Sequence, residues 1–524
     1  MELHGLADAH LAQVSAPAAP TGGAAIWSEA RGDPRARLAL AAILFAAIAL
    51  RCLTFGHPFV HEDEHFYLYV GHAIAGGGWP YADVWDRKPA GLFLIYALPG
   101  ALPHSLAIIA YQLLALGAAV WTAWLVRTIA VRVGWAEGAL PAALLYLAAL
   151  NLFAGYGGQA AIFFNLPVTG AALAMLGAVR AGGQRDLLKH GRRAMLLVGT
   201  ALTIKQTALV EGLVMGLILV SLTGSHFGER AARWRAVAGL GACAMVPGAA
   251  LLAGMAMAGH GGTYLSAVYA SYFLRTAAGT DALGNIVDIM LPLTPLAVPA
   301  ILALIFPSLR AWRGDRYRTR FIALWVAAAM LALVLQSPWY DHYALATLPP
   351  LAAATAGLLG HRGRARGWIT VILVGALLCL AINVIRIQLP RQGTAAELAA
   401  AARLMDGPPG SAYIFSGPVQ LYWLSGRCPA TRWPFPGHLR RAAESRAIGT
   451  DQIAEIRRIM ASLPQVVVLD DESGREIAGA RAAVTARLAA YGAPQVQRFG
   501  SRRLFVYQRR SADPAARLQG AGCW

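Results

Sequence analysis

The sequence predicts an all-helical polytopic membrane protein that ends in a small α/β domain, and three observations carry that reading. Of its 524 residues 57% are hydrophobic and only 14% charged, against about 25% charged in soluble domains. Apolar runs near the ~20 residues that cross a bilayer recur from Leu38 to Ile387. From about Leu389 the composition changes to interleaved charged and apolar segments. Disordered, collagen-like and secreted disulfide-scaffold classes are excluded. A formal charge of +18 could suggest nucleic acid, but no DNA- or RNA-binding signature accompanies it, so no nucleic-acid partner is expected. The arginines punctuate the apolar runs, which is the positive-inside pattern of a membrane protein. Five cysteines (Cys52, Cys243, Cys379, Cys428, Cys523) are too scattered for a metal knuckle or a disulfide framework. Only Cys428 and Cys523 lie outside the apolar region, and the sequence leaves their pairing open.

Residues 1–36, rich in Ala, Gly and Pro at first, read as a cytoplasmic tail without a signal peptide. Spans are expected at about 38–55, 105–126, 138–153, 160–178, 194–204, 206–224, 236–258, 289–307, 321–336, 344–359 and 368–387, a membrane domain over 37–388. Eleven crossings with the amino terminus inside put 389–524 outside the cytoplasmic (inner) membrane. Charge tests this count independently: the segments placed inside hold twenty-one arginines and lysines, those outside only Arg87, Lys88, Lys205 and Arg275. The stretch 194–224 is basic at both ends, so a hairpin of two short passes is expected, turning at Lys205. In the tail, strands are expected at Ser411–Phe415, Val466–Leu469 and Leu504–Gln508, with helices at 451–462 and 476–490.

The chemistry concentrates in the first outer loop, 56–104. Connections usually run about 4–6 residues and loops this long are commonly functional. Five carboxylates, Glu62, Asp63, Glu64, Asp83 and Asp86, fall within 25 residues of it, although a charge in a loop is often merely solvated. His61-Glu62-Asp63-Glu64-His65 also satisfies the H-E-x-x-H pattern of zinc peptidases. Such an enzyme needs a third ligand, and no convincing partner follows downstream.

Asp63-Glu64-x-x-Tyr67, then Gly78-Trp79-Pro80-Tyr81-x-Asp83, then Lys88-Pro89, resembles the first outer loop of the GT-C glycosyltransferases that use polyprenyl-phosphate sugars. Protein mannosyltransferases and bacterial aminoarabinose transferases belong to that family. Thr203-Ile204-Lys205-Gln206, Tyr340-Asp341-His342-Tyr343 and Gly417-Pro418-Val419-Gln420-Leu421-Tyr422 follow in the family's order. Ala90 stands where a second proline is usual, and the histidines beside Asp63 and Glu64 depart from the pattern and leave use of a divalent metal open. No other cofactor is implied.

The resemblance implies a polyprenyl-phosphate-linked sugar as donor, a lipid, glycan or protein as acceptor, and inverting transfer without a covalent sugar-enzyme intermediate. That chemistry needs a carboxylate to take the acceptor's proton and cations to stabilise charge growing on the leaving phosphate. Asp63 is the expected base, with Glu64 and Asp83 beside it. Lys88, Lys205 and Arg275 are expected to hold the phosphate, and Tyr67, Tyr81, Asp86, Asp341, His342 and Tyr343 to contact substrate. Only three of the 45 basic residues are lysines, and two of them fall at these positions. Trp339 and Tyr340 read as an interfacial aromatic belt, and Glu211 as an intramembrane ionisable group. The alternatives are a zinc peptidase using His61, Glu62 and His65, and a transporter or flippase of the lipid carrier. A reporter active only outside the cytoplasm should work when fused after Arg391 and fail after Arg193 or Arg320; activity at Arg320 overturns the topology.

Overall fold

The computed structural model describes residues 33–275, 281–311, 313–360, 363–471, 476–510 and 523. The expected tail lies outside them up to residue 32. Helix α1 (Pro34–Arg51) starts where Asp33 accepts the Arg35 N–H at 2.9 Å and Pro34 supplies a preset φ. The first outer loop is itself folded, as helices α2 (Glu62–Ala75) and α3 (Ala90–Gly100). These two pack so closely that a Cβ on Gly71 would overlap the Tyr96 carbonyl, and one on Gly100 would overlap the backbone of Gly71.

Further helices follow: α4 (His104–Val133), α5 (Ala136–Leu150), α6 (Ala160–Ala178), α7 (Gln184–Leu202), α8 (Leu209–His226), α9 (Arg230–Met257), α10 (Ala282–Ile305), α11 (Arg316–Leu335), α12 (Leu348–Thr355) and α13 (Arg364–Gln388). At about 1.5 Å per residue α4 is ~45 Å long, and it stops at Gly134 in the left-handed region. Among the described residues eight helices are long and apolar enough to cross a bilayer. The count of eleven is therefore not confirmed. Of the expected spans, 38–55 falls on α1, which carries Arg35, Arg37 and Arg51. The span at 194–204 is the apolar half of α7, whose first half carries Arg185, Lys189, Arg192 and Arg193. That at 344–359 begins in a 3-10 turn, Asp341–Thr347, and α12 adds only eight residues. The hairpin turning at Lys205 is present between α7 and α8.

The C-terminal α/β domain holds α14 (Ala395–Arg403), α15 (Gln420–Leu424), α16 (Pro436–Arg440), α17 (Gln452–Ala461) and α18 (Ala480–Thr485) with four strands. These are β1 (Ala412–Ile414), β2 (Val466–Asp470), β3 (Gln495–Phe499) and β4 (Arg502–Gln508), in the sheet order β1-β2-β4-β3. Strand β2 pairs parallel with β1 and antiparallel with β4 and is buried along its whole length, which is why it reads as an unbroken apolar run. Strand β3 escapes the sequence reading because it is an edge strand, mostly exposed and polar.

This domain sits on the α2–α3 hairpin. The Trp85 N–H donates to the Arg432 carbonyl at 2.8 Å, Gln420 donates to the Pro58 carbonyl at 2.9 Å, and Trp423 stacks on His72 with ring centres 3.9 Å apart. Cys428 and Cys523 form a disulfide, which settles the pairing the sequence left open. Because the hairpin has no room at Gly71, Gly71→Leu should cost more than the ~1–3 kcal/mol of ordinary overpacking and abolish recovery of folded protein in detergent. Gly239→Ala in α9, where a Cβ meets nothing within 4 Å, should leave that yield unchanged or raise it.

Candidate functional site

The N-terminal turn of α2 carries three successive carboxylates, Glu62, Asp63 and Glu64, placed where the helix dipole favours anions. His61 caps the turn, its Nδ1 accepting the Asp63 N–H at 3.2 Å, with Gln159 Nε2 2.6 Å from the same nitrogen. The helical rotation then separates the three side chains. Glu62 turns to the C-terminal domain, accepting from Arg441 at 3.0 Å. Asp63 faces an open cavity. Glu64 turns inward, fully buried, against Gly157 and Gly158.

The cavity has a volume of about 460 Å3 and is walled by five segments distant in sequence. The first outer loop makes one wall, with Asp63 and Tyr67 from α2 and Arg87 and Lys88 from the turn before α3. The α7–α8 turn supplies Lys205 and Gln206, and the stretch ending at Arg275 supplies that residue. Tyr340, Asp341, His342 and Tyr343 form a fourth wall, and Arg440, Arg441, Glu444 and Arg502 of the C-terminal domain close the fifth.

Each cation is held by an aromatic ring or an acid. Lys88 Nζ lies 4.8 Å from the centre of the Tyr67 ring and 3.5 Å from Asp86 Oδ2. Its backbone is fixed from behind by Tyr81, which accepts a left-handed φ of 72° and donates its hydroxyl to the Lys88 carbonyl at 2.8 Å. Lys205 Nζ lies 4.9 Å from the centre of the Tyr343 ring. Gln206 donates to the carbonyls of Arg87 at 2.8 Å and Val268 at 3.0 Å, joining three of the walls. Arg275 donates to the Tyr343 hydroxyl at 2.8 Å and lies 3.3 Å from Glu444 Oε1.

Burial alone would raise the Asp63 carboxyl, but Lys88, His61, His342 and Lys205 outweigh it and hold the group well below the usual carboxylate range. His342 Nε2 is 3.7 Å from Asp63 Oδ2, and its Nδ1 is 3.4 Å from Asp341 Oδ1. Burial lowers His342 from the ordinary imidazole value, against the pull of Asp341 and Asp63. Burial and the neighbouring Lys88 pull the Lys205 ammonium down to about 8, which leaves it mostly charged at neutral pH. Glu64 moves the other way: burial pushes it up to about 7.

Eight of the expected residues thus meet: Asp63, Tyr67, Lys88, Lys205, Arg275, Asp341, His342 and Tyr343. Four do not line the cavity. Glu64 is turned into the interior, Tyr81 and Asp86 stand behind Lys88, and Asp83 is an exposed turn residue whose Oδ2 accepts the Trp79 N–H at 2.8 Å. Tyr340, expected only as belt, is a wall of the cavity, with its ring stacked on His342. Arg87, Gln206, Arg440, Arg441, Glu444 and Arg502 were not expected. Arg87 carried a signal, being one of few basic residues assigned outside, whereas the C-terminal residues carried no local pattern.

The H-E-x-x-H reading fails on geometry. His61 is the extended residue before the helix, with φ −153°, and its Nδ1 is engaged by the Asp63 N–H and Gln159. His65 Nε2 accepts the Val60 N–H at 2.8 Å and its ring stacks on Phe59, away from the cavity. Among the described residues no three His, Cys, Asp or Glu side chains gather as a metal site. The intramembrane Glu211 accepts from Trp325 Nε1 at 2.7 Å, joining α8 to α11.

A helical membrane bundle whose folded outer loop and C-terminal α/β domain enclose one charged cavity is a multi-pass membrane protein of the GT-C fold. The chain aligns with ArnT from Cupriavidus metallidurans bound to undecaprenyl phosphate at a TM-score of 0.60 and 14% identity, covering 90% of this chain and 97% of that one. The apo state of the same ArnT gives a TM-score of 0.59 with the same identity and coverage. No protein-family model matches the chain, and no curated protein sequence matches it.

Glu64 has a consequence measurable without substrate. Its folded value lies above the ordinary 4.5, so the unfolded chain loses this proton first and folding stability falls as pH rises from about 4.5 to 7, by on the order of 3 kcal/mol. Glu64→Gln should flatten that decline in thermal unfolding between pH 5 and 8; an unchanged pH slope would mean the carboxyl is ionised in the fold.

Proposed function

We propose that this protein is an inverting glycosyltransferase that moves one monosaccharide from a polyprenyl-phosphate carrier to an acceptor on the outer side of the cytoplasmic membrane. The observation that carries the reading is Asp63 facing Lys88, Lys205 and Arg275 across one cavity. An ionised carboxylate beside three cations is what transfer from a phosphodiester donor requires. The acceptor's hydroxyl or amine attacks the anomeric carbon and its proton passes to Asp63. The bond from that carbon to the phosphate oxygen breaks, and the carrier leaves as a phosphomonoester carrying an additional negative charge. Lys88, Lys205 and Arg275 meet that charge, so they bind the transition state more tightly than the ground state.

The low value of Asp63 bears on the order of events. Held down by Lys88, His61, His342 and Lys205, Asp63 is by itself a weak base. A donor phosphate resting on Lys88 and Lys205 cancels part of that positive field and raises the carboxyl toward the range where it takes a proton. Donor binding thereby readies the base. The fold shared with ArnT, solved with undecaprenyl phosphate, supports a carrier of that chemical type. The Cys428–Cys523 disulfide supports an oxidising, extracytoplasmic location for the C-terminal domain.

With a panel of undecaprenyl-phosphate monosaccharides and release of undecaprenyl phosphate as readout, Asp63→Asn should lose about 10²- to 10⁴-fold in turnover while still binding carrier. Lys88→Ala should weaken carrier binding as well as slow release, and wild type should stay active after a strong chelator. Near-normal turnover in Asp63→Asn removes that residue from the base role; activity abolished by chelation and restored by zinc defeats the assignment.

A further inference from the structure

One short segment of the C-terminal domain, α16 with the 3-10 turn Ala442–Glu444 that follows it, reaches back to the first outer loop. It does not grip Asp63 or Lys88. It grips the residue immediately before each. Arg441 Nη2 donates to Glu62 Oε2 at 3.0 Å, and Glu62 precedes Asp63. Glu444 Oε1 accepts from Arg87 Nη2 at 2.7 Å and its Oε2 lies 2.6 Å from Arg87 Nη1, and Arg87 precedes Lys88. The same carboxylate lies 3.3 Å from Arg275 Nε. A charge-assisted hydrogen bond of this kind is shorter and stronger than one between neutral groups.

The segment has a firm base. Gln452 donates to the His438 and Arg441 carbonyls at 2.8 and 3.0 Å, and the Ile477 N–H donates to the Arg440 carbonyl at 2.8 Å. His438 packs edge-on against Trp85 and Phe66, with ring centres 4.9 and 5.7 Å away. Glu444 itself is 3% exposed, and although burial opposes it, Arg87 and Arg275 hold the carboxyl down at about 2, so the clamp stays charged at any working pH.

We propose that Glu444 and Arg441 are positioning residues: from the C-terminal domain they fix the backbone beside Lys88 and Asp63 and so set the distance between the phosphate-binding cation and the base. This rests on the glycosyltransferase reading. A displacement of ~1 Å in such an arrangement can cost about 10²-fold in rate. Without Glu444, Arg87 and Arg275 become uncompensated cations on the cavity wall, free to turn toward the donor phosphate. Carrier affinity should therefore hold or rise while the chemistry slows.

The test measures carrier release by full-length protein in detergent, equilibrium binding of undecaprenyl phosphate, and hydrogen exchange along the chain. Glu444→Gln should lower kcat about 10²-fold with donor KM unchanged or lower, and Arg441→Met should lower kcat in the same way. Glu444→Asp and Arg441→Lys should recover part of the rate. Adding Arg87→Met to Glu444→Gln should lower kcat little further, because Glu444 acts through Arg87. A raised KM at normal kcat, additive losses in the double variant, or a loss matching only the unfolded fraction would each overturn the proposal. If wild type neither binds undecaprenyl phosphate nor releases it from any donor, the glycosyltransferase reading falls, and exchange decides the clamp alone. Faster exchange confined to residues 62–69 and 84–89 in Glu444→Gln upholds it; unchanged or uniformly faster exchange refutes it.

Discussion

The helical rotation of α2 is the constraint on which the site depends. Three acids in a row sit in its first turn, and roughly 100° between successive residues sends each to a different environment. Glu62 meets an arginine of the C-terminal domain, Asp63 the lysines of the cavity, and Glu64 the buried backbone at Gly157 and Gly158. Their electrostatic fates diverge accordingly: cations outweigh burial at Asp63, whereas burial wins at Glu64. A register shift of one residue would put Glu62 or Glu64 in place of Asp63 before the lysines. The cap at His61 and the absence of room at Gly71 and Gly100 fix that register from both ends.

The second dependence is between domains. Most of the cavity's cations come from the membrane-side segments, but the carboxylate that holds Arg87 and Arg275 in place belongs to the C-terminal domain. Leaving a partly buried arginine without its acid is costly, so the α/β domain completes the site electrostatically rather than merely covering it. The hydrogen bonds of Trp85 to Arg432 and of Gln420 to Pro58 make the docking continuous from the sheet to the first outer loop.

Much of this was legible in the sequence because it is local. Apolar runs mark membrane helices through the cost of an unpaired backbone in lipid, and they located the eight long ones. The unbroken valine run of β2 marked a strand buried on both faces, whereas the polar β3 gave no such sign. The count of eleven is not confirmed at α7, which is half charged, and at α12, which is short, because neither passes a test of length and apolarity.

For the site, the sequence by itself determined which short stretches carry chemistry: the acid-rich turn at 62–64, the lysines at 88 and 205, and the segment 340–343. Scarcity betrays them, since a lysine or carboxylate in an apolar, arginine-biased chain stands out without any contact being known. Only the tertiary structure decided which way each side chain faces. Neighbours in sequence are separated by helix rotation or turn geometry, which removed Glu64 and Asp83 from the cavity. Residues such as Lys88 and Glu444, 356 positions apart, are brought to one wall by packing between elements, and no local pattern encodes that.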